Sequence, residues 1–424
     1  MDSIFSAGWV LMKEIPSFFI NPFLYIFLLM AWMQYRRQTL FERKLFHRRL
    51  TRPWEQWLHT VIHGLWGGIL ASLVILGLGI VVQPFDLWVI AGLSFFFSLF
   101  HIQYFCFAYA GGLYVLLVTA AKLWPQGSEI SMIMWLWEPL SSANLPSLIG
   151  MIALFYLFES ILVRRNRGRG VSPIYLNGKR GMLVGAYQLQ KFWLMPMFLF
   201  VSVPAGTEMS WSIPSWWPML LAGTGPGLSI TFVGFPIVLG FTDLMISQLP
   251  EAKARRSAKS LFIYGLILLL LAIVSKWSIW AGVIAGLFAF IGHTLLIRWN
   301  IWRQWRESPI FVQLGQGVVV LAVLPDTPAE KMGILPGDVI VKVNGEEINR
   351  SEELYPALQL NSAFCKMEVR NVEGHIKYLQ RAVYQGEHHQ LGLILAPDEQ
   401  TPYYVDLKPV SIFQLFNQQI DKGA

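Results

Sequence analysis

Ionisable side chains that could support acid–base or transport chemistry lie within or beside strongly apolar stretches of this sequence. They are His59, His63, His101, Glu159, Lys191, Asp243 and His293. An ionisable group inside a membrane segment is a functional candidate by default. Most of these residues fall near the ends of apolar runs, where long polar side chains can reach the interface. We therefore favour structural roles at span ends and keep transport as an alternative.

The stretch 216–241 carries a second sign of transport, because glycine and proline interrupt it repeatedly. The interrupting residues are Gly223, Gly225, Pro226, Gly227, Gly234 and Pro236. Discontinuous helices of this kind occur in transporters, usually as a matching pair in two halves of the chain. No matching interrupted stretch is evident elsewhere in the sequence. The glycines are therefore better explained by close helix packing.

Proteolytic chemistry finds little support in the sequence. A zinc protease of the membrane needs His-Glu-x-x-His on a helix, and no such string occurs. The run Glu387-His388-His389 falls on a predicted loop outside any span. An intramembrane serine protease site could be sought in Gly227-Leu228-Ser229-Ile230 together with His293. This segment lacks the glycine expected after the serine. We therefore predict no catalytic residue, no metal, no cofactor and no enzymatic activity.

Composition defines the protein class. Hydrophobic types make up 54% of the 424 residues and charged types only 14%, against about 25% charged in an ordinary soluble domain. The mean hydropathy is +0.48. Apolar stretches of roughly 20 residues recur, and each is long enough to cross a hydrocarbon core about 30 Å thick. The chain is expected to be a multispanning α-helical membrane domain, residues 1–307, with one soluble part.

Nine membrane helices are predicted, and the count falls to eight if residues 1–33 only dip into the bilayer. The predicted spans are 15–33, 58–82, two within 87–124, 145–163, 182–203, 216–241, 261–275 and 279–297. Gly64/Gly68 and Gly282/Gly286 permit close approach of helices. Self-association through these glycines is a further hypothesis.

Basic residues concentrate in alternate loops, at 36–52, 164–180, 253–259 and 298–306. The intervening loops are almost free of lysine and arginine, which is the positive-inside pattern. It predicts that the basic loops, and everything after 306, lie in the cytoplasm beside anionic lipid. The net charge of +7 is therefore attributed to membrane topology, and nucleic-acid binding is not expected. Cys106 and Cys365 are too far apart in the predicted fold to form a disulfide.

Residues 325–348, PDTPAEKMGILPGDVIVKVNGEEI, are the most specific motif in the chain. Thr327 to Glu330 has the spacing of a helix-capping box with proline at the first helical position. Gly333 suits a left-handed helix stop, and Asn344-Gly345 is a strong hairpin signal. The pattern predicts an α+β PDZ domain over 308–397, followed by a tail over 398–424. PDZ domains bind peptides by adding a strand to a sheet edge.

A PDZ groove needs an apolar helix wall, a strand with free backbone groups and a loop for a terminal carboxylate. The predicted groove residues are Leu354, Ala357, Leu358, Leu391, Gly392, Leu393 and Ile394. Two alternatives stay open: the loop and strand are residues 315–318, or residues 391–395 merely close the core. We expect Leu354→Arg or Gly392→Trp to weaken partner recruitment without affecting membrane insertion.

Several segments together resemble the MinJ family, polytopic PDZ proteins of the bacterial division-site selection (Min) system. They are Asn21-Pro22-Phe23, the basic run 36–52, residues 191–196, residues 333–338 and Leu391-Gly392-Leu393. The resemblance covers the full length, and the PDZ motif is its specific part. It supports the predicted fold of a multispanning membrane domain with a C-terminal PDZ domain.

The resemblance implies a non-enzymatic adaptor in the plasma membrane, enriched at the septum and poles. It would link a DivIVA-like polar scaffold to MinD, which carries the division inhibitor MinC, and it would contact divisome membrane proteins. Two other functions remain as alternatives from the layout. One is a transporter regulated by its PDZ domain, and the other is an adaptor that presents substrates to a separate membrane protease.

Overall fold

The computed structural model describes residues 2–100, 104, 106–124, 127, 134–178, 181–203, 211–212, 229–313, 315–361, 363–382, 391–398 and 401. The helices before the PDZ motif are α1 (Asp2–Ile20), α2 (Pro22–Phe46), α3 (Pro53–Gly77), α4 (Pro84–Phe100), α5 (Phe107–Leu123), α6 (Met134–Ser142), α7 (Leu145–Asn166), α8 (Pro250–Val274), α9 (Ile279–Leu287) and α10 (His293–Arg306). The strands of the same region are β1 (Val81–Val82), β2 (Ser172–Asn177), β3 (Leu183–Val203), β4 (Trp211–Ser212) and β5 (Ser229–Met245).

Four helical segments among the described residues are long and apolar enough to cross a membrane. They are α3, α7, α8 and the continuous segment Ile279–Arg306. A fifth is reached if α1 and α2 count as one span, which bends by 57° where Asn21 and Pro22 interrupt it. The stretch 87–124 does form two helices, α4 and α5, each of 17 residues. The protein is thus a membrane protein, but the structure does not confirm eight or nine helices.

The predicted helices over 182–203 and 216–241 are wrong, because the described parts of both are strands. Strands β3 and β5 form an antiparallel hairpin whose register runs from Tyr187↔Met245 to Val203↔Ser229. Pro196 lies opposite Pro236 in this register, and proline is poorly tolerated inside a helix. Apolar residues on both faces of the strands are buried, so their sequence lacks the alternation that identifies a half-exposed strand.

Helix α3 covers the edge of β3 that β5 leaves open. A Cβ atom on Gly64 would lie 2.1 Å from the Leu194 carbonyl oxygen, and one on Gly68 would lie 2.3 Å from that of Pro196. One turn further, the Ser72 hydroxyl accepts a hydrogen bond of 2.9 Å from the Phe198 N–H. Unpaired backbone groups are very costly at membrane depth. The small residues of α3 therefore let a helix serve as the neighbour that a further strand would otherwise provide.

The hairpin also extends out of the membrane helices towards the PDZ domain. The 21 residues of β3 reach on the order of 65–70 Å at about 3.3 Å per residue, roughly twice the hydrocarbon thickness. Strand β2 pairs with its first residues. The segment after α10 joins the same sheet, since the Gly185 N–H donates to the Phe311 carbonyl at 2.8 Å.

The PDZ domain contains β6 (Val318–Val323), α11 (Pro328–Lys331), β7 (Val339–Val343), β8 (Glu346–Glu347), α12 (Ser351–Gln359), β9 (Phe364–Arg370), β10 (Ile376–Ala382) and β11 (Leu393–Leu395). Its sheet has the order β10-β9-β7-β6-β11, with β8 paired to β7. Gly333, Asn344 and Gly345 all have positive φ angles, as the turn motifs predict. The described strands and helices confirm an α+β fold.

The two domains share one hydrophobic core. Leu321, Ala322 and Ile394 of the PDZ sheet are buried in the same cluster as Leu189 of β3. The Tyr187 hydroxyl donates a hydrogen bond to the Leu321 carbonyl across the interface. The PDZ domain is therefore seated on the end of the hairpin where β3 begins, and its sheet packs directly against the membrane domain.

Candidate functional site

A cleft of about 280 Å³ lies between helix α12 and strand β11. Its lining residues are Phe46, Arg48, Leu324, Ser351, Leu354, Tyr355, Leu358, Leu391, Gly392, Leu393 and Ile394. Strand β11 is the last strand of the PDZ sheet in the described residues, so its outer edge faces the cleft. We call this cleft the groove. It combines an apolar helix wall with an edge strand, the two parts that strand addition requires.

Six of the seven predicted groove residues line this cleft, and Ala357 does not. Ala357 is buried in the PDZ core, where its carbonyl accepts a hydrogen bond from the Asn344 side chain. Leu354 and Leu391 line the groove but also belong to the PDZ core. Ile394 borders the groove, and it belongs to the core shared with the membrane domain. Leu358, which is partly buried, is the predicted residue most clearly available to a ligand.

The alternative groove over residues 315–318 has no free strand edge. Strand β6, which begins at Val318, lies between β7 and β11 in the sheet. A Cβ on Gly317 would also lie 2.8 Å from the Ile340 carbonyl oxygen. The other alternative, in which residues 391–395 close the core, is compatible with the structure, because Leu391 is a core residue and β11 is an edge strand.

The loop at Leu391–Gly392 is fixed by the neighbouring turn. The Ala329 N–H donates to the Leu391 carbonyl at 2.9 Å, and the Leu324 N–H donates to the Gly392 carbonyl at 2.8 Å. Gly392 has a φ of 81°, and a Cβ there would lie 2.3 Å from the Thr327 side chain. Any larger residue would strain this loop. Gly392→Trp would therefore test folding of the PDZ domain as much as ligand binding.

Glu353 fixes the start of the helix wall. Its carboxylate accepts hydrogen bonds from the N–H groups of Asn349, at 2.7 Å, and Arg350, at 3.1 Å. Arg350 is the N-cap of α12. These bonds lower the pKa of Glu353. They consequently favour the folded helix above the carboxyl's ordinary pKa and lose strength as acidification protonates it.

The membrane domain contributes two residues to the groove that the sequence did not identify. Phe46, at the end of α2, and Arg48 in the following loop both line it. Phe46 makes an edge-to-face contact with Tyr175 of β2 at 5.2 Å between ring centroids. The Tyr175 hydroxyl donates to the carbonyl of Leu395, the last residue of β11, at 2.9 Å. The groove is therefore composite, and one of its ends meets the basic loop after α2.

Arg48 gives this end of the groove a positive charge. Its side chain is exposed and lies in the predicted cytoplasmic run 36–52. Arg48 was part of a charge pattern in the sequence, but nothing in its spacing indicated a contact with residues more than 300 positions away. A peptide that leaves the groove at this end would pass the guanidinium group, which favours carboxylate-bearing ligands.

Three of the residues first considered for chemistry, Glu159, Asp243 and His293, line one small cavity in the membrane domain, whereas Lys191 lies elsewhere. Lys191 is buried, donates to the Gln56 side chain at 3.3 Å and lies 5.3 Å from the Tyr35 ring centre. Asp243 forms an ion pair with Lys253. Within the described part of the chain, no three His, Cys, Asp or Glu side chains are grouped to hold a metal ion. His101, residues 216–228 and residues 387–389 lie outside the described residues.

Comparisons with known proteins agree with this architecture. Residues 319–365 match the model of a PDZ domain family. The cell division topological determinant MinJ of Bacillus subtilis (strain 168) is 29% identical over 92% of this chain and 96% of its own length. The probable cell division topological determinant MinJ of Lacticaseibacillus paracasei is 32% identical over 61% of this chain and 67% of its own length.

A third relative is similar to this chain over a short segment only. Mouse serine protease HTRA3 is 41% identical over 63 residues, which are 15% of this chain and 14% of the protease. That similarity is confined to a segment of PDZ size and concerns no catalytic domain. The two relatives named as topological determinants, in contrast, match the membrane domain as well. The chain is therefore a member of the MinJ family of cell division topological determinants.

Proposed function

We propose that this chain is a non-enzymatic membrane adaptor whose groove holds an extended segment of a partner involved in placing the division site. The observation that carries the proposal is the cleft of about 280 Å³ between the apolar wall of α12 and β11, which is the edge strand of the PDZ sheet within the described residues. Backbone pairing with β11 would supply affinity, and the apolar pockets between Leu354, Tyr355 and Leu358 would supply selectivity.

Membrane anchoring makes a weak groove sufficient for recruitment. A partner that already resides at the membrane meets the groove at a high effective concentration, so no tight single contact is needed. The proposed partners are MinD, together with MinC, a DivIVA-like polar scaffold and membrane proteins of the divisome. In this proposal the PDZ domain faces the cytoplasm and the protein is enriched at septa and poles.

The sharpest test of the groove is Leu358→Glu. Leu358 is a groove residue that is only partly buried and packs at the margin of the PDZ core, so the substitution places a carboxylate on the helix wall and disturbs the core less than a charge at the buried Leu354 would. We expect at least a tenfold loss of recruitment of purified MinD or DivIVA to membranes that contain the full chain, because a buried unpaired charge costs several kcal/mol. Co-sedimentation with vesicles measures this directly.

Leu360→Glu is the matched control. Leu360 follows α12, is 66% exposed and is not a groove residue. It should leave recruitment unchanged. Equal recruitment by wild type and both variants would reject the groove as the partner site. Leu354→Arg is a poorer test, because Leu354 is only 8% exposed and its charge would enter the PDZ core.

Charge reversal at Arg48 tests whether the groove prefers acidic segments. We expect Arg48→Glu to weaken binding of an acidic partner segment about fivefold at low salt, since exposed charge pairs contribute up to about 1 kcal/mol. The difference should shrink as salt is raised. Arg49→Glu, an exposed neighbour that does not line the groove, is the control. Fluorescence anisotropy with labelled peptides measures both, and identical losses would show that the loop acts only through its net charge.

A further inference from the structure

A second, much smaller cavity lies inside the membrane domain, where β5, α7, α8 and α10 meet. It has a volume of about 20 Å³, and a cavity needs roughly 10–15 Å³ on this scale to hold one water molecule. Its lining residues are Glu159, Gly240, Phe241, Thr242, Asp243, Ser257, Leu261, His293, Leu296, Ile297 and Asn300. The space therefore suits a single water molecule or a small ion.

Glu159 of α7 is the unusual member of this lining. Its side chain is fully buried, and neither carboxylate oxygen has a hydrogen-bond partner among the described residues. The Nδ1 atom of His293, which is 4% exposed, likewise has none. An ionised carboxylate without a partner is extremely unfavourable in an apolar interior. Glu159 thus needs a positively charged species, and the cavity beside it is the place for one.

The other charges around the cavity already have partners. Lys253 of α8 lies 3.3 Å from the Asp243 carboxylate, which also accepts hydrogen bonds from the Ser257 hydroxyl and the Leu244 N–H. This pair is neutral overall and leaves the charge of Glu159 uncompensated. The remaining titratable groups near Glu159 and His293 are one thiol and three phenols, groups that ordinarily titrate well above neutral pH. They are Cys106, Tyr109, Tyr156 and Tyr264.

The backbone beside His293 is also irregular. Residues Phe288–Gly292 form one turn of π-helix immediately before it, and the Tyr264 hydroxyl donates to the Phe288 carbonyl there. Single π-turns within helices occur frequently at functional sites. Here the turn sets the position of His293 at the cavity. The centroid of the His293 ring lies 6.0 Å from that of Tyr109 and 5.4 Å from that of Tyr156.

We propose that this cavity binds one monovalent cation on the Glu159 carboxylate, with His293 as the second polar contact. The cation is either a proton, shared with a water molecule, or a sodium ion. Arg164 is five positions after Glu159, or about 7.5 Å along the helix, so the site lies near the basic end of α7. Occupation would neutralise the cavity and hold β5, α7 and α10 together, directly below the sheet that seats the PDZ domain.

Thermal unfolding of the full chain in nanodiscs tests this proposal. A cation that binds only the folded state raises the unfolding temperature as its concentration increases. In sodium-free buffer, the wild-type unfolding temperature should fall by several degrees between pH 5.5 and 8.5. If the site also takes sodium, NaCl at pH 8.5 should restore it while choline chloride at equal ionic strength should not.

Glu159→Gln should remove both responses, because the amide has nearly the same shape and no charge to balance. Glu138→Gln, at an exposed carboxylate of α6, should retain them. Loss of the pH response alone in Glu159→Gln identifies a proton site, and loss of the sodium response as well identifies a sodium site. The proposal is overturned if Glu159→Gln responds like wild type, or if wild type responds to neither cation. If Glu159→Gln fails to fold, Glu159→Asp takes its place and should shift the pH or sodium response of the unfolding temperature, whereas an unchanged response would overturn the proposal.

Discussion

Gly64→Ala is expected to prevent stable folding of the membrane domain, although it adds only one methyl group. The new Cβ would lie 2.1 Å from the Leu194 carbonyl oxygen and 2.8 Å from its carbonyl carbon. Both are backbone atoms of β3, so no side-chain rotation can relieve the overlap. Overpacking costs about 1–3 kcal/mol in ordinary cores and more where the backbone must move. Separation of α3 from β3 would also leave the hairpin edge without its cover at membrane depth.

The same helix provides a control with the opposite expected sign. Gly77 is also in α3, and a Cβ there would meet nothing within 4 Å. Gly77→Ala should therefore be neutral or slightly stabilising, since alanine is favoured over glycine in a helix by roughly 0.5–1 kcal/mol. Both variants can be compared by yield of monodisperse protein and by unfolding temperature in detergent. Equal values for the two variants would contradict the close packing of α3 on β3.

Gly64 and Gly68 show that a glycine pattern can predict close packing correctly without identifying the element that packs there. Their spacing predicted close approach of another helix. The approach is real, but the neighbour is strand β3, through the carbonyl groups of Leu194 and Pro196. A glycine pattern specifies only that a backbone comes near. It does not identify the element to which that backbone belongs.

The hairpin itself could not be recognised by hydrophobic periodicity. A strand buried on both faces and a buried helix segment give the same continuous apolar run. The distinguishing signals were local: Pro196 and Pro236 in mid-segment and the many aromatic residues of β3. Residues with high strand preference are also apolar enough for a membrane helix, so length and hydropathy alone cannot distinguish these strands from membrane spans.

The PDZ domain was predicted far better because its signals are turns. Gly333, Asn344 and Gly345 occupy backbone conformations that few other residues adopt, so their positions fix where helices and strands end. The composite groove was not predictable in the same way. Phe46 and Arg48 reach it only because β2, β3 and residues 310–312 seat the PDZ domain on the membrane domain. No local pattern encodes that docking.

Lys253→Met is expected to lower the stability of the membrane domain by about 3–5 kcal/mol, the usual cost of removing one partner of a buried ion pair. Lys253 and Asp243 are 1% and 5% exposed at the side chain, with 3.3 Å between the ammonium nitrogen and the carboxylate oxygen. Methionine keeps most of the volume and leaves the buried Asp243 carboxyl group without its ammonium partner. The Ser257 and Leu244 hydrogen bonds to Asp243 compensate only part of that charge.

A double-mutant cycle separates the ion pair from simple packing. Asp243→Asn combined with Lys253→Met removes both charges, so the double variant should be more stable than the sum of the two single losses predicts. Arg255→Met, which breaks the exposed pair with Glu251 on the same helix, should cause no measurable change. Unfolding temperatures in detergent are measured for wild type, for Asp243→Asn, Lys253→Met and the double variant, and for Arg255→Met.

Loss of the ion pair between Lys253 and Asp243 is also expected to affect the groove. Asp243 is two residues from the end of β5, and the Ile310 N–H donates to the Ile246 carbonyl at 3.1 Å just beyond it. Loss of the ion pair should therefore loosen the segment that seats the PDZ domain before it unfolds the helices. Cross-linking of cysteines introduced at Phe46 and Leu358, which line the groove from different domains, should become slower in Lys253→Met and stay unchanged in Arg255→Met. An unchanged rate in both would mean that the groove holds its shape independently of the hairpin.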